Sequence, residues 1–445
     1  MKNIAENKIR VINIAVGLLI FTACAVLIPG SHFSFQAKIT IATLFVMIYW
    51  WITRPVHIAV TALLPIIVNS LFAVVPMGDV LKNYASQIVV LLLGANILTI
   101  TWKNTGLDKR IAIGALSLIG TSVKWQLTVW FLLSTLLSAV LPNAVVAAAL
   151  CPIAYAMMQY TDKEQQAPQK KILDMILLMI VWGAGLGGFG TPLGGAMNLV
   201  AITHIEKFTG EEFMFIDWTV KMFPYLATLT LGIVLYIVLS KQETKRMSGS
   251  REYIKKEYNK MGKMGKAQIT ALVLFLVPVV LSFARPLYDK ILPEFKPFFA
   301  FILFGVLAFF INAEKDKRLI TWKDAEKNIN WGLMILFSGG LAIGGMLTST
   351  GALQSVSEMV AAASLVKTLP VVIIIIAFSM FLSNASSNTA AVAVAVPLVL
   401  GIVAPISASP LRYVFWLPRR ATARFCCLHR SGRFPSDMGL TQTLC

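Results

Sequence analysis

The sequence predicts an all-α polytopic membrane protein made of two inverted-topology repeats, with re-entrant helical hairpins and unwound helices. Three observations predict it. Of the 445 residues, 57% are hydrophobic and 13% charged, against ~45–50% and ~25% in a typical globular chain. The apolar residues are gathered into runs of bilayer-crossing length. The chain also repeats itself without gaps at an offset of 245 residues, from 88–152 onto 333–397. Such proportions exclude collagen, disordered tails, disulfide scaffolds and ordinary soluble nucleotide-binding enzymes.

Backbone polar groups in lipid pair within helices or closed barrels, so long uncharged runs read as helices. They lie at 11–29, 39–53, 56–75, 87–102, 125–159, 172–202, 218–240, 268–287, 297–312, 331–347 and 369–405, with a further start near 411. The first is longer than a signal-peptide core and has no small-residue cleavage site followed by a soluble domain. Runs 125–159 and 369–405 are too long for one crossing, and each carries a polar tip near its middle. Both read as hairpins that enter and leave on one side. Non-helical backbone at such depth is tolerated when it is buried in protein or lines a wet cavity.

Loop charge sets the orientation. The N-terminus (Lys2, Lys8, Arg10), the stretch 103–110 (Lys103, Lys109, Arg110), 161–171 (Lys163, Lys170, Lys171) and the loop 241–267, with nine basic residues against Glu243, Glu252 and Glu257, all fall on the cytoplasmic side. Segments 30–37, 204–216 and 348–366 are poor in Lys and Arg and fall outside. The net charge of +18 is therefore mostly topology, and contact of the basic loop with anionic lipid is compatible with it. No soluble domain accompanies the charge, which argues against a nucleic-acid partner.

In the repeat, Gly94 meets Gly339, Thr105-Gly106 meets Thr350-Gly351, Ser138 meets Ser383, Asn143 meets Asn388, and Pro152 meets Pro397. Only 10 of 65 positions are identical, so the weight lies in which residues match and in the constant register. Basic residues follow the first copy's helix end and are absent from 348–357 in the second, which places the copies in opposite orientations. Inverted repeats with broken helices mark secondary transporters; the plainer alternative is convergent Gly and Ser packing between helices.

The spans hold almost no ionisable group; His57, Lys124, Asp174 and Lys221 lie near their ends. A proton relay or cation pump would carry a buried carboxylate, and an ATP-driven pump a phosphate loop with Lys. The run 183–190 superficially resembles a dinucleotide loop but has neither strand nor acidic partner. What remains is neutral oxygen chemistry. The first tip reads Ser138-Ala-Val-Leu-Pro142-Asn143-Ala144 and the second Ser383-Asn384-Ala385-Ser386-Ser387-Asn388-Thr389. Each Asn stands where a helix starts, where its side chain caps free N–H groups and the helix dipole favours an anion. Ser hydroxyls and exposed carbonyls can ligate a hard cation such as Na⁺. A third break, Gly187–Asn198, holds five glycines and Pro192 within nine residues. At ~1 kcal/mol per Gly and ~3 for Pro, a continuous helix would seldom accept it; close helix approach through glycines is the plainer alternative.

At these residues the sequence resembles the divalent anion:sodium symporter family, the bacterial dicarboxylate, citrate and sulfate carriers. The resemblance rests on Ser387-Asn388-Thr389, on the Gly-rich Thr-Pro-x-Gly…Asn stretch 187–198 and on the two Thr-Gly helix ends, and covers roughly 80–416. It implies Na⁺ as co-transported ion with no bound cofactor, an elevator movement and a homodimer. By position it implies a first sodium site at Ser138, Asn143 and the backbone of Gly194, and a second to which Ser383 and Asn388 contribute. Asn143, Gly195, Ser387, Asn388 and Thr389 are implied at the anion. The chain departs from the family at Pro142-Asn143-Ala144, which stands where Ser-Asn-Thr is expected and lacks two hydroxyls.

A second departure lies at the end. The counterpart of Gly194 should stand near 439, where the chain reads Asp437-Met-Gly-Leu. Up to Trp416 there are 26 Lys and 8 Arg; the last 29 residues hold five Arg, no Lys and Cys426, Cys427 and Cys445. A shifted reading frame after about Trp416 is the expectation, and 417–445 is read as an aberrant tail. The cysteine spacing there matches no zinc pattern. The resulting organisation is scaffold 1–110, transport part 111–240, cytoplasmic loop 241–267, scaffold 268–350 and transport part 351–416. The expected function is Na⁺-coupled symport of a divalent anion across the cytoplasmic (inner) membrane, N-terminus inside. A passive anion channel or an integral membrane enzyme is the alternative.

Overall fold

A computed structural model of the chain describes residues 2–117, 120–165, 170–241, 245–247, 249–314, 317–362, 373, 377, 379–381, 383 and 388–403. These residues are predominantly helical. The principal helices are α1 (Lys2–Leu27), α2 (Phe35–Thr53), α3 (Gln87–Thr105), α4 (Leu107–Leu116), α5 (Val123–Ser138), α6 (Asn143–Gln165), α7 (Lys170–Gly187) and α8 (Ala196–Thr209). They continue with α9 (Phe215–Leu239), α10 (Ser250–Lys260), α11 (Lys266–Phe283), α12 (Pro297–Leu307), α13 (Trp331–Ser349), α14 (Ala352–Ala362) and α15 (Asn388–Val403). A small antiparallel pair, β1 (Asn312–Glu314) with β2 (Lys317–Arg318), follows α12.

Among the described residues, seven helices are long and apolar enough to cross a membrane: Glu6–Leu27, Phe35–Thr53, Gln87–Thr105, Asn143–Asp162, Phe215–Leu239, Lys266–Phe283 and Trp331–Ser349. The chain is thus an all-α, multi-pass membrane protein. Its α9 leaves Val220, Phe223, Leu231 and Leu239 more than 60% exposed, an apolar surface that water would penalise and lipid does not.

Several elements differ from the sequence expectation. The run 56–75 is two short helices, Ile58–Thr61 and Leu64–Phe72. Pro65 opens the second, and as proline it cannot donate the N–H that would continue the first. The stretch 103–110 is no simple loop: α3 runs to Thr105, Gly106 turns the chain at φ +66°, and α4 begins at Leu107. The basic loop 241–267 contains α10, and the segment 348–366 contains α14. Both are short and amphipathic, so a search for long apolar runs passes over them.

The chain divides into two compact units. One comprises Met1–Leu92, Leu199–Glu212 and the described residues from Asn330 on. Within it α1 seats the Trp50 indole of α2 against Gly17, and Tyr49 donates to Asn13 Oδ1 at 3.0 Å. Helix α13 starts at Asn330, whose side chain accepts from Leu333 N at 3.0 Å. Gly339 lies directly on the Ala62 carbonyl. The helix ends at Thr350, whose hydroxyl donates to Met346 O at 2.8 Å, and Gly351 turns away at φ +71°.

The other unit comprises Leu93–Asn198 and Phe213–Ile329. Helices α3 and α12 cross through Gly94 and Gly305; a Cβ on Gly94 would stand 2.5 Å from the Phe301 backbone. Thr105 donates to Thr101 O at 2.8 Å, the same i−4 bond as Thr350. Helix α10 and the basic segment before it are fastened to the foot of α5. There Gln126 Nε2 donates to Ser250 Oγ at 2.6 Å and Met247 N to Thr121 O at 2.8 Å. Arg110 of α4 caps its far end by donating to the carbonyls of Met261 and Gly262.

Candidate functional site

The first tip is built by three helix ends. Helix α5 closes at Ser138, four residues turn, and α6 opens at Asn143 with Val145 and Val146 N–H bonded to Pro142 O. Proline suits that position, because the first N–H of a helix has no intrahelical partner. Helix α7 runs alongside α5 and supplies glycine where the backbones touch. A side chain on Gly183 would collide with Phe131 O, and one on Gly187 with Thr135 O. The close approach lets two hydroxyls one helical turn apart reach two carbonyls one turn apart. Ser134 Oγ donates to Ile180 O at 2.6 Å and Ser138 Oγ to Ala184 O at 2.8 Å. Both serines are fully buried.

Beyond Gly187 the helix unwinds until Ala196. Buried Asn198 folds the break closed, since its Nδ2 donates to Gly188 O and Thr191 O, each at 2.8 Å. Thr191 Oγ1 donates to Ala139 O in the tip, and Gly194 N donates to Thr191 Oγ1 at 3.3 Å. Trp218 of α9, fully buried, donates Nε1–H to Phe189 O at 2.9 Å. The break therefore has a fixed shape, held by side chains that satisfy carbonyls no longer in a helical ladder.

Into this frame projects the Asn143 amide, half-buried. Its inward atom has Ser138 Oγ at 2.7 Å, Gly194 O at 2.9 Å and Ala184 O at 3.2 Å. Gly188 passes so close that a Cβ there would overlap the amide. The group is neutral and oxygen-rich, the donor set that suits a hard cation, although four oxygens without a cation or a donor would repel one another. Gly194, of which a Cβ would strike Ser138 O, and Gly195 are both buried beside it. The structure thus brings Ser138, Asn143, Gly194 and Gly195 together.

At the second tip, buried Ser383 donates its hydroxyl to Asn388 Oδ1 at 2.7 Å. Asn388 opens α15 as Asn143 opens α6. Thr389 is the second residue of α15; Ser387 and the side chain of Thr389 lie outside the described residues, as does 417–445. His57 and His204 have structural settings. His57 Nδ1 accepts from Ala59 N at 3.3 Å, and His204 is buried against Gly344.

Sequence reasoning missed three contributors: the carbonyl of Ala184, the Asn198 staple and the hydroxyl of Thr191. The Gly183-x-x-x-Gly187 spacing was the available signal, being the small-residue pattern that lets helix backbones approach.

Comparison with known proteins supplies the class. A model of the CitMHS citrate transporter family matches residues 48–418. The sodium-dependent dicarboxylate transporter SdcS of Staphylococcus saprophyticus is 26% identical over 427 residues, covering 92% of this chain and 81% of the relative. SdcS of Staphylococcus aureus is 26% identical over 416 residues, covering 90% and 80%. The family match takes in both tips and the glycine break, and it is to transporters, not enzymes. With its oxygen-lined tip, its glycine-seated helices and its membrane spans, this chain belongs to the citrate transporter family.

Proposed function

We propose that the chain is a secondary active transporter that couples inward movement of a divalent anion, a dicarboxylate such as succinate, to Na⁺. The observation that carries the reading is the first tip: Ser138, Asn143 and the carbonyls of Gly194 and Ala184 within hydrogen-bond distance of one point, with no carboxylate among them. Ser138, Asn143 and Gly194 hold one Na⁺, and Ser383 and Asn388 contribute to a second. Asn143, Gly195, Ser387, Asn388 and Thr389 meet the anion, whose charge is offset by helix N-termini and amide donors. The names of the relatives, sodium-dependent dicarboxylate transporters, support both ion and substrate class.

The inverted repeat belongs to the same proposal. Matched residues have matched local roles: Gly94 and Gly339 each press on a neighbouring backbone, and Gly106 and Gly351 each end a helix with positive φ. Thr105 and Thr350 make the same bond, and in each tip a Ser hydroxyl lies 2.7 Å from the amide of the Asn five residues on. With re-entrant hairpins, repeats of this kind work by alternating access of one bundle against the other. The elevator form of it, the homodimer and the scaffold–transport division at 110, 240 and 350 follow the family resemblance.

The test is uptake of labelled succinate, citrate and sulfate into proteoliposomes with and without an inward Na⁺ gradient. Succinate accumulation that requires Na⁺ is expected. Flux that ignores Na⁺ would instead describe a passive channel.

A further inference from the structure

Helix α10 lies along the membrane surface, because both of its ends are tied at the ends of spans. Lys124 of α5 donates to Val238 O at the close of α9, whose last residue, Leu239, is 71% exposed. Two residues further along α5, about 3 Å of helix rise, Gln126 Nε2 donates to Ser250 Oγ, the first residue of α10. The N-terminus of α10 therefore stands at the level where an apolar-surfaced span ends. At its other end, Arg110 holds the carbonyls of Met261 and Gly262, shortly before α11 opens at Lys266. In that first turn Gln268 Nε2 donates to Thr105 O, the end of α3, at 2.9 Å. An axis about 16 Å long, tied at both ends to span ends, runs along the surface and not away from it.

With Ser250 and Ile254 buried against the protein, α10 presents two outer rows at i, i+4 spacing. They differ. In the row Glu252, Lys256, Lys260, the charges have partners of their own. Lys256 Nζ stands 6.0 Å from the centre of the Tyr160 ring, and Lys260 Nζ donates to Glu257 at 2.7 Å. The row Arg251, Lys255, Asn259 is exposed along its length. Among the described residues, Arg251 and Lys255 have no hydrogen-bond or ion-pair partner. Tyr258, 46% exposed, stands beside this row. We propose that the Arg251–Lys255 row docks on the phosphodiester headgroups of anionic phospholipids in the leaflet beside it. Arg251 can hold two phosphate oxygens at once, while Lys255, one turn on, meets a headgroup as a point charge. Tyr258 enters the same wet layer, ring toward the apolar side and hydroxyl toward water. Membrane orientation asks only for net positive charge in the loop; it gives no reason for one row to be partnered and the other bare. Because α10 is bonded to the foot of α5, the docked headgroups hold to the leaflet the helix whose far end is Ser138.

Backbone amide exchange of α10, in the full chain held in lipid nanodiscs, tests it. Choline chloride serves as the salt, so that Na⁺ plays no part. Discs with about one-third phosphatidylglycerol should slow the exchange about tenfold against phosphatidylcholine alone, two basic side chains each gaining attraction near the surface. At about 1 M salt, where the screening length is about 3 Å, the difference should vanish. The ratio between the two lipids is read within each variant, so a change in the variant's own stability cancels. Arg251→Gln with Lys255→Gln should lose most of the ratio, and Lys256→Gln with Lys260→Gln should keep most of it. Arg251→Glu with Lys255→Glu should reverse it, phosphatidylglycerol now speeding exchange. Soluble glycerol phosphate added to phosphatidylcholine discs should leave exchange unchanged; if it reproduces the slowing, the row takes free phosphate and lipid docking is overturned. Wild-type exchange that ignores lipid charge overturns it too. So do equal losses in the two glutamine pairs, which would describe a diffuse field and no docking row.

Discussion

At the scale of single residues, glycine decides how near two helices can come. Gly187 lies where any β-carbon would overlap Thr135 O, which is backbone and cannot rotate away. Gly187→Ala is therefore expected to cost about 3 kcal/mol or more, at or beyond the upper end for overpacking. The control is Gly232, in α9, where a Cβ would meet nothing within 4 Å; Gly232→Ala should gain about 0.5–1 kcal/mol from helix propensity. Thermal unfolding in detergent reads both, and equal effects would refute the close-approach argument. Ser138→Ala is a subtler change. It removes the donor to Ala184 O and should cost about 1 kcal/mol of stability. With the hydroxyl gone from the proposed cation site, the Na⁺ concentration needed for half-maximal stabilisation should rise by about tenfold as well.

At the scale of elements, α10 shows how a short polar helix is held to a membrane protein. Ile254 and Ser250 are buried beneath it, while Arg251, Lys255, Lys256 and Lys260 stay in water. Its two ends are fastened unequally. Arg110 donates to backbone carbonyls beyond its C-terminus, a charged-to-neutral bond worth about 1.5–3 kcal/mol. Lys109 approaches Glu257 at 3.8 Å on an exposed surface, a pairing worth about 0–1 kcal/mol. Arg110→Gln should thus speed tryptic cleavage at Lys255 and Lys256 far more than Lys109→Gln does. The pH dependence has a definite sign. The hydrogen bond from Lys260, at 2.7 Å, holds the Glu257 carboxyl below its usual range against a smaller desolvation effect, with Lys109 and Lys256 adding to it. Because the folded value is lowered, the contribution of Glu257 is complete at neutral pH. It fades only as pH falls through and below the ordinary carboxylate range near about 4. The difference in α10 amide-hydrogen protection between Lys109→Gln and wild type should shrink as the pH falls below about 4.

At the scale of the molecule, the helices must be placed in a bilayer, and charge placement does so. Reading the basic segments as cytoplasmic puts the N-terminus, 103–110, 161–171 and 241–267 on one side. Single cysteines at Glu6, Asn259 and Glu211, in a background without Cys24, Cys151 and the three tail cysteines, test it in intact cells. The first two should resist a membrane-impermeant thiol reagent and the third should react. Labelling of Asn259 from outside would overturn the orientation.

The sequence by itself determined the all-α, multi-pass class, the break after Gly187 and the helix starts at Asn143 and Asn388. Those are local matters: a run of apolar residues fixes a span, glycines and Pro192 forbid a continuous helix, and an Asn before an apolar run starts one. It also marked Gly94, Gly106, Gly339 and Gly351 through the repeat, and each proves to be a close approach or a left-handed turn. Only the tertiary structure decided which oxygens surround Asn143. Ala184 O comes from a helix 41 positions downstream, brought to the tip because Gly183 and Gly187 let α7 lie against α5. Every residue has a backbone carbonyl, so no sequence signal distinguishes the one that helps form a site. Packing alone makes that choice. The same holds for Asn198, whose two bonds across the break depend on where the unwound chain doubles back.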